Sequence, residues 1–282
     1  MTPTRNTPGL LDARGVAVVP GPYLRVASLV PSLTDTVFGL GRGDNLVART
    51  AYCEEPRGLV ARVPACGGTK NPRLDAILAL RPDLVLACLE ENKTAHLDAL
   101  TAAGVPVFAV MPRSLDDVDA LLKDLGILLD AEIAALAARG TLAAARADAA
   151  AVRQRRAPIA AATLIWKDPW MAAGGHTHVD AVMAEVGLRN VYAGHEDYPA
   201  TTLEELGALA PALVLLPDEP YHFTKRDAAA VAEAARLAGP ERCPRIPGKL
   251  LSWYGTRTAG SLRELLRLLD RFAPAVPAPP AG

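Results

Sequence analysis

The chain has 282 residues, half of them apolar, with 30 Lys plus Arg against 31 Asp plus Glu. That length allows one large domain or two of ordinary size, and the balanced charge argues against a nucleic-acid surface or a polybasic membrane face. The 24 Pro and 22 Gly imply many short loops, and four Cys in a chain this long imply no disulfide scaffold. In chain order, Arg25–Val30 reads as a buried strand, and Pro31-Ser32-Leu33-Thr34 turns into a helix reaching Leu40, stopped by Gly41. Leu46–Arg49 is a second strand, Leu74–Leu80 a short helix ended at Arg81-Pro82, and Leu84–Ala87 and Val105–Val110 two further strands. Ser114 caps a helix with Asp117 three residues on, and Gly126 breaks it. Asp130 caps an Ala-rich helix over 131–156, closed by Pro158, which at ~1.5 Å per residue would run roughly 40 Å. Such length near the middle of the chain reads as a connector between two lobes.

The second half restarts the rhythm. Pro158–Ile165 is a strand, His178–Val186 a helix capped by Thr177 and stopped by Gly187, Asn190–Tyr192 a strand, Leu203–Leu209 a helix ended at Ala210-Pro211, and Leu213–Leu216 a strand. Alternating strands and helices of this kind form parallel sheets. The halves also repeat. LDAILALRPDLVL from Leu74 aligns with LEELGALAPALVL from Leu203, matching Pro82 with Pro211, Leu84 with Leu213, and Asp75 with Glu204.

Paired α/β lobes place ligands in a cleft, near strand ends and loops. Eight aromatic residues fall in such loops: Tyr52, Trp166, Trp170, Tyr198, Tyr221, Phe223, Trp253 and Tyr254. As a set they favour a flat or bulky apolar ligand; taken singly, each has ordinary lobe packing as its alternative. Arg49, Glu90, Glu91, Lys167, Asp168, Glu219 and Arg257 lie beside them. They are read either as contacts to a ligand with carboxylates or a chelated metal, or as salt bridges between lobes.

Other motifs are weak. GGTKN lacks the phosphate-loop spacing, and no GxGxxG follows a strand. His176-Thr177-His178 diverges on a helix, because residues two apart do not share a face. His195 and His222 read as loop residues, so no protein-built metal site is expected. Cys53, Cys66, Cys88 and Cys243 lack CxxC spacing and read as buried thiols.

The segments RVASLVPSLTDTVFGLG, CGGTKNPRLDAILALRPDLVLACLEEN, LGALAPALVLLPDEPYHF and LLSWYGTR, with the mid-chain helix, resemble the helical-backbone (class III) substrate-binding proteins of ABC importers. Among these the chain is most similar to the cobalamin-binding, or helical-backbone metal receptor, branch over about 24–272. The resemblance implies two Rossmann-like lobes with parallel sheets, joined by a single long backbone helix, with small hinge motion. It implies an N-terminal lobe over 22–113, connecting helices over 114–157, a C-terminal lobe over 158–273 and a disordered tail over 274–282.

The same resemblance implies a cobalamin, haem or ferric-siderophore ligand in the interlobe cleft, with no built-in cofactor and no catalysis. Tyr52, Gly67 and Gly68 would line the N-terminal side, and Trp166, Tyr198 and Trp253 the C-terminal side. Trp170, Tyr221, Tyr254 and Arg257 complete the expected ligand set. Asp75 and Glu204 would dock a monomeric protein onto basic residues of a dimeric permease, with Asp standing where Glu is usual. The superposition of these two acids in the repeat supports that role independently, since a two-fold pair of carboxylates suits a two-fold partner. A solvated helix face is the alternative for either acid alone.

The resemblance implies work outside the cytoplasm. The first residues, however, lack the unbroken apolar stretch of a secretory leader. A cytoplasmic carrier or sensor of the same fold is therefore the alternative reading. An enzyme on two Rossmann-like lobes, a glycosyltransferase or chelatase, would need a nucleotide loop or acid–base pair that the motifs do not supply.

Overall fold

The computed structural model describes residues 9–272. Two compact units emerge, the first built on a parallel sheet and the second on a sheet whose parallel strands carry an antiparallel extension. The first begins with an antiparallel pair, β1 (Leu10–Leu11) and β2 (Ala17–Val18), followed by β3 (Val26–Ser28), α1 (Pro31–Gly39), β4 (Leu46–Arg49), α2 (Leu74–Ala79), β5 (Leu84–Cys88), α3 (Thr94–Ala102), β6 (Val107–Val110) and α4 (Leu115–Leu129). Strands β4, β3, β5 and β6 lie in that order, all parallel. Every residue of β5 and β6 is buried, as strands covered on both faces require. Leu29, Ile77, Leu97 and Leu100 pack on this sheet.

Next comes α5 (Glu132–Arg153), a 22-residue helix. The second unit then contains β7 (Ile159–Trp166), β8 (Trp170–Ala172), α6 (His178–Glu185), β9 (Leu188–Asn190), β10 (Ala200–Thr201), α7 (Leu203–Ala208), β11 (Leu213–Pro217), α8 (Lys225–Ala234), β12 (Arg245–Ile246), α9 (Lys249–Ser252) and α10 (Thr258–Leu269). Strand β7 pairs in parallel with β11 on one edge. Its other edge is shared, with β9 parallel over its first residues and β8 antiparallel over its last.

Among the described residues, the units group as 9–112, 116–141 and 254–257 for the first, and 113–115, 142–253 and 258–272 for the second. The chain in α5 therefore passes from one to the other after Thr141, within a continuous helix. The connecting segment expected over 114–157 is divided in the same way, most of α4 grouping with the first unit. The tail expected over 274–282 lies outside the described residues. Among the described residues, no helix is long and apolar enough to cross a membrane.

The repeat is reproduced residue by residue. Helices α2 and α7 have six residues each, and the five-residue strands β5 and β11 that follow are wholly buried. Between helix and strand, Arg81 (φ 48°) and Ala210 (φ 47°) both take the left-handed conformation immediately before Pro82 and Pro211. A residue before proline is pushed out of the α region, so both helices end by the same device.

Several local expectations are corrected. Gly126 does not break a helix; it lies inside α4, where a β-carbon would stand 2.7 Å from Ala135 Cβ. Its missing side chain lets the start of α5 pack against α4. Asp130 does not cap α5; it has φ 54° and its carboxylate pairs with Arg42 at 3.1 Å. The strand after α6 is Leu188–Asn190 rather than Asn190–Tyr192, because the Gly187 carbonyl accepts from Ile159 N–H at 3.1 Å and pairing with β7 starts directly after it. Helices α3, α8, α9 and α10 have no counterpart among the expected elements. Of these, α10 carries a plain signal: Leu262, Leu265, Leu266 and Leu269 are buried at helical spacing.

Candidate functional site

In open α/β sheets, ligands bind beyond the carboxyl ends of the strands. On the first unit, the loop after β4 carries Tyr52, whose side chain is left 64% exposed. The loop is held from below. The Arg49 guanidinium donates to the carbonyls of Val60, Val63 and Thr50 at 2.9–3.0 Å. Cys53 Sγ lies 3.1 Å from Thr34 Oγ1 and 3.2 Å from Thr50 Oγ1. Ala51 N–H donates to the Gly67 carbonyl at 2.7 Å. Gly67 has φ 87°, a conformation open to glycine. A β-carbon on Gly68 would stand 3.1 Å from the Tyr52 ring. Tyr52, Gly67 and Gly68 are thus brought together on one loop surface.

Asn92, absent from the expected set, ties this surface to the sheet. Its Oδ1 accepts from Cys88 N–H at 2.9 Å, and its amide donates to the carbonyls of Thr69 (2.9 Å) and Leu29 (3.3 Å). Lys70 Nζ donates to the Glu90 carbonyl at 2.7 Å. The sequence signal for Asn92 was only a polar residue after a buried strand, which most loops contain.

On the second unit, four aromatic rings form a chain. Trp166, 41% exposed at the end of β7, meets Tyr221 edge-on at 5.5 Å and 69°. Tyr221 lies 4.8 Å from Phe223, which stacks on Trp170 at 6.1 Å and 4°. Phe223 is 1% exposed and anchors the set in the core. Lys167 lies 5.5 Å over the Trp170 ring and binds Asp227 Oδ1 at 2.6 Å. That ammonium, together with Thr224 N–H and hydroxyl, holds the Asp227 carboxyl down at about 2, against the opposing effect of its burial; the same pair raises Lys167. Asp227 thereby completes a capping box at the start of α8. Lys167 and Asp227 are committed to each other.

The remaining expected ligand residues are placed differently. Trp253 is 7% exposed, with Lys249 Nζ 4.8 Å over its ring. Tyr254 is buried in the first unit, where burial pushes its phenol well above the usual range. Arg257 makes a two-pronged pair with Asp35, at 2.9 and 3.1 Å. Tyr198 is half-buried. His176 is exposed while His178 is buried, so that pair diverges as read from the sequence. Among the described residues, no cluster of three or more His, Cys, Asp or Glu could hold a metal ion. The four thiols are buried and unbridged. Desolvation pushes Cys88 up to about 11 and Cys243 to about 12, which keeps both protonated and unreactive at neutral pH.

Asp75 and Glu204 are exposed in the first turns of α2 and α7, one on each unit, with Ile77 and Leu206 buried two residues on. A shallow groove of ≈ 850 Å³ adjoins Glu204, lined by Asp168, Trp170, Thr202, Gly207 and Arg236 among others. Trp170 therefore borders the face that carries Glu204, while Trp166 stands at the carboxyl end of β7.

Residues 26–239 match the periplasmic binding protein family. A vitamin B12-binding protein of Yersinia pestis is 29% identical over 197 residues, covering 68% of this chain and 69% of its own length. A periplasmic haem-binding protein from Pseudomonas aeruginosa superposes with a TM-score of 0.76 at 26% identity, over 90% of this chain and 94% of that one. A periplasmic vitamin B12-binding protein of Vibrio cholerae shares the fold with a TM-score of 0.75 at 20% identity, over 89% of this chain and 98% of the other.

Proposed function

Because the chain belongs to the periplasmic binding protein family, with the helical-backbone fold, we propose that it is the substrate-binding component of an ABC importer for a bulky metal-containing ligand. A corrinoid, haem or ferric siderophore is the class that fits. The observation that carries this reading is the exposure of large aromatic rings at the carboxyl ends of parallel strands, Tyr52 at 64% and Trp166 at 41%. A flat, largely apolar macrocycle covers such rings, whereas a sugar or amino acid leaves most of their area wet. On the first unit Tyr52, Gly67 and Gly68 would contact the ligand, and on the second unit Trp166 with Tyr221 would do so, while Trp170 lines the groove beside Glu204.

Asp75 and Glu204 would meet basic residues on the two halves of a permease dimer, outside the cytoplasmic membrane. Helix dipoles favour an acid in each first turn, but they do not require the two to occupy equivalent positions of a repeat. A thermal-shift panel with cyanocobalamin, hemin and a ferric siderophore tests the ligand class. At a hundredfold its dissociation constant, a binder adds ~2.7 kcal/mol of stability. Shifts produced only by sugars or amino acids would reject the reading.

A further inference from the structure

One face of α1 is taken up by residues from the far end of the chain. Ser32, Asp35, Thr36 and Gly39 are spaced three, four and seven residues apart from the first and so share a side of the helix. Against this side lie Tyr254, Gly255, Thr256 and Arg257. These four residues group with the first unit, although Trp253 before them and Thr258 after them group with the second.

Each of the four has its own seat. The Tyr254 hydroxyl sits against the Cys88 thiol and the Ser32 hydroxyl. Gly255 has φ 104°, and a β-carbon there would collide with Thr36 Oγ1. Thr256 fills the space over Gly39, where a β-carbon would collide with its hydroxyl. Arg257 closes the sequence with its fork on Asp35, at 2.9 and 3.1 Å. Three of these seats depend on shape. The fourth is an ion pair whose side chains are 34% and 12% exposed, so water can compete for it.

We propose that Tyr254–Arg257 is a latch, a short return of the chain to the first unit that works beside α5 to restrain motion between the units, with the Arg257–Asp35 fork as its releasable part. Arg257 is then a positioning residue, held on α1 by Asp35, and the four-residue seat adds a second restraint to the one supplied by a continuous helix. The proposal goes beyond the ligand reading and does not depend on it, since it concerns the ligand-free protein.

The test is a pulsed spin-label distance measurement on ligand-free protein. Labels are placed at Asp98→Cys on α3 and Glu233→Cys on α8, both exposed, the native thiols being buried. Asp35→Asn and Arg257→Gln should each lower the latched-to-released ratio about tenfold, the scale of one charge-assisted pair at partial exposure. The expected readout is a broadened distance distribution, narrowed again by the exchange Asp35→Arg/Arg257→Asp. If either single variant fails to fold, Arg257→Lys, which keeps the charge but loses the fork, replaces it. An unchanged distribution in the folded single variants overturns the latch. Broadening that the charge exchange does not reverse overturns the assignment of the fork as its releasable part.

Discussion

Trp166 and Phe223 belong to one chain of rings but should answer different assays. Trp166 is 41% exposed and touches its neighbours chiefly through the edge-on contact with Tyr221 at 5.5 Å. Truncating it removes one aromatic pair, worth ~0.5–1.5 kcal/mol of folding stability. If it covers the face of a macrocycle, the same truncation costs ~2 kcal/mol or more of binding, about a 30-fold loss of affinity. Phe223 is 1% exposed, stacked on Trp170 and tilted at 58° against Tyr221. Phe223→Ala should cost ~3–5 kcal/mol of stability through the cavity it leaves. Absorbance titration with cyanocobalamin and with hemin, paired with urea unfolding, separates the two. Trp166→Ala should keep its urea midpoint near wild type and lose affinity for whichever probe binds. An affinity within threefold of wild type, on an intact fold, would make Trp166 a packing residue and remove it from the proposed ligand contacts.

The docking and acid-stability predictions are independent of that result. Asp75→Lys/Glu204→Lys should abolish stimulation of a reconstituted permease–ATPase while leaving ligand titration unchanged, both acids being exposed on short helices; normal stimulation would remove the docking role. The Asp227 carboxyl is lowered from 3.8 to about 2 by Lys167, so its contribution to stability is complete above about pH 4 and is lost as pH falls toward 2. Asp227→Asn should therefore flatten the fall of the urea midpoint between pH 4 and 2, and an acid limb as steep as wild type would show that the pair contributes nothing there. Thr177→Ala removes the hydroxyl that accepts from Asp180 N–H at 3.1 Å and should cost ~1 kcal/mol in the same assay, whereas an unchanged midpoint would mean the cap adds no stability.

Much of the architecture was legible because its causes are local. The apolar run at Leu84 and the run at Leu213 can only be strands buried on both faces, and each follows a short helix that a proline ends. The Thr177 cap and the buried thiols likewise follow from residue type and immediate neighbours. The aromatic loops could be listed as a group, but their division could not. Whether a tryptophan stands in the open like Trp166 or lies buried like Trp253 depends on residues far away in sequence. Gly126 was misread for the same reason. A glycine inside a helical pattern reads as a stop until Ala135 is seen to need the space.

The sequence by itself determined the alternation of strands and helices, the repeat, the long helix and the matched positions of Asp75 and Glu204, since each rests on periodicity or on a step between adjacent residues. Only the tertiary structure decided that Arg257 faces Asp35, that Tyr254 is buried beside Cys88, and that Asn92 pins the Gly67-Gly68 loop. Those partners are separated by up to 222 positions. A charged or aromatic side chain has many chemically adequate partners in a chain of this length, and the packing of whole elements selects the one it meets.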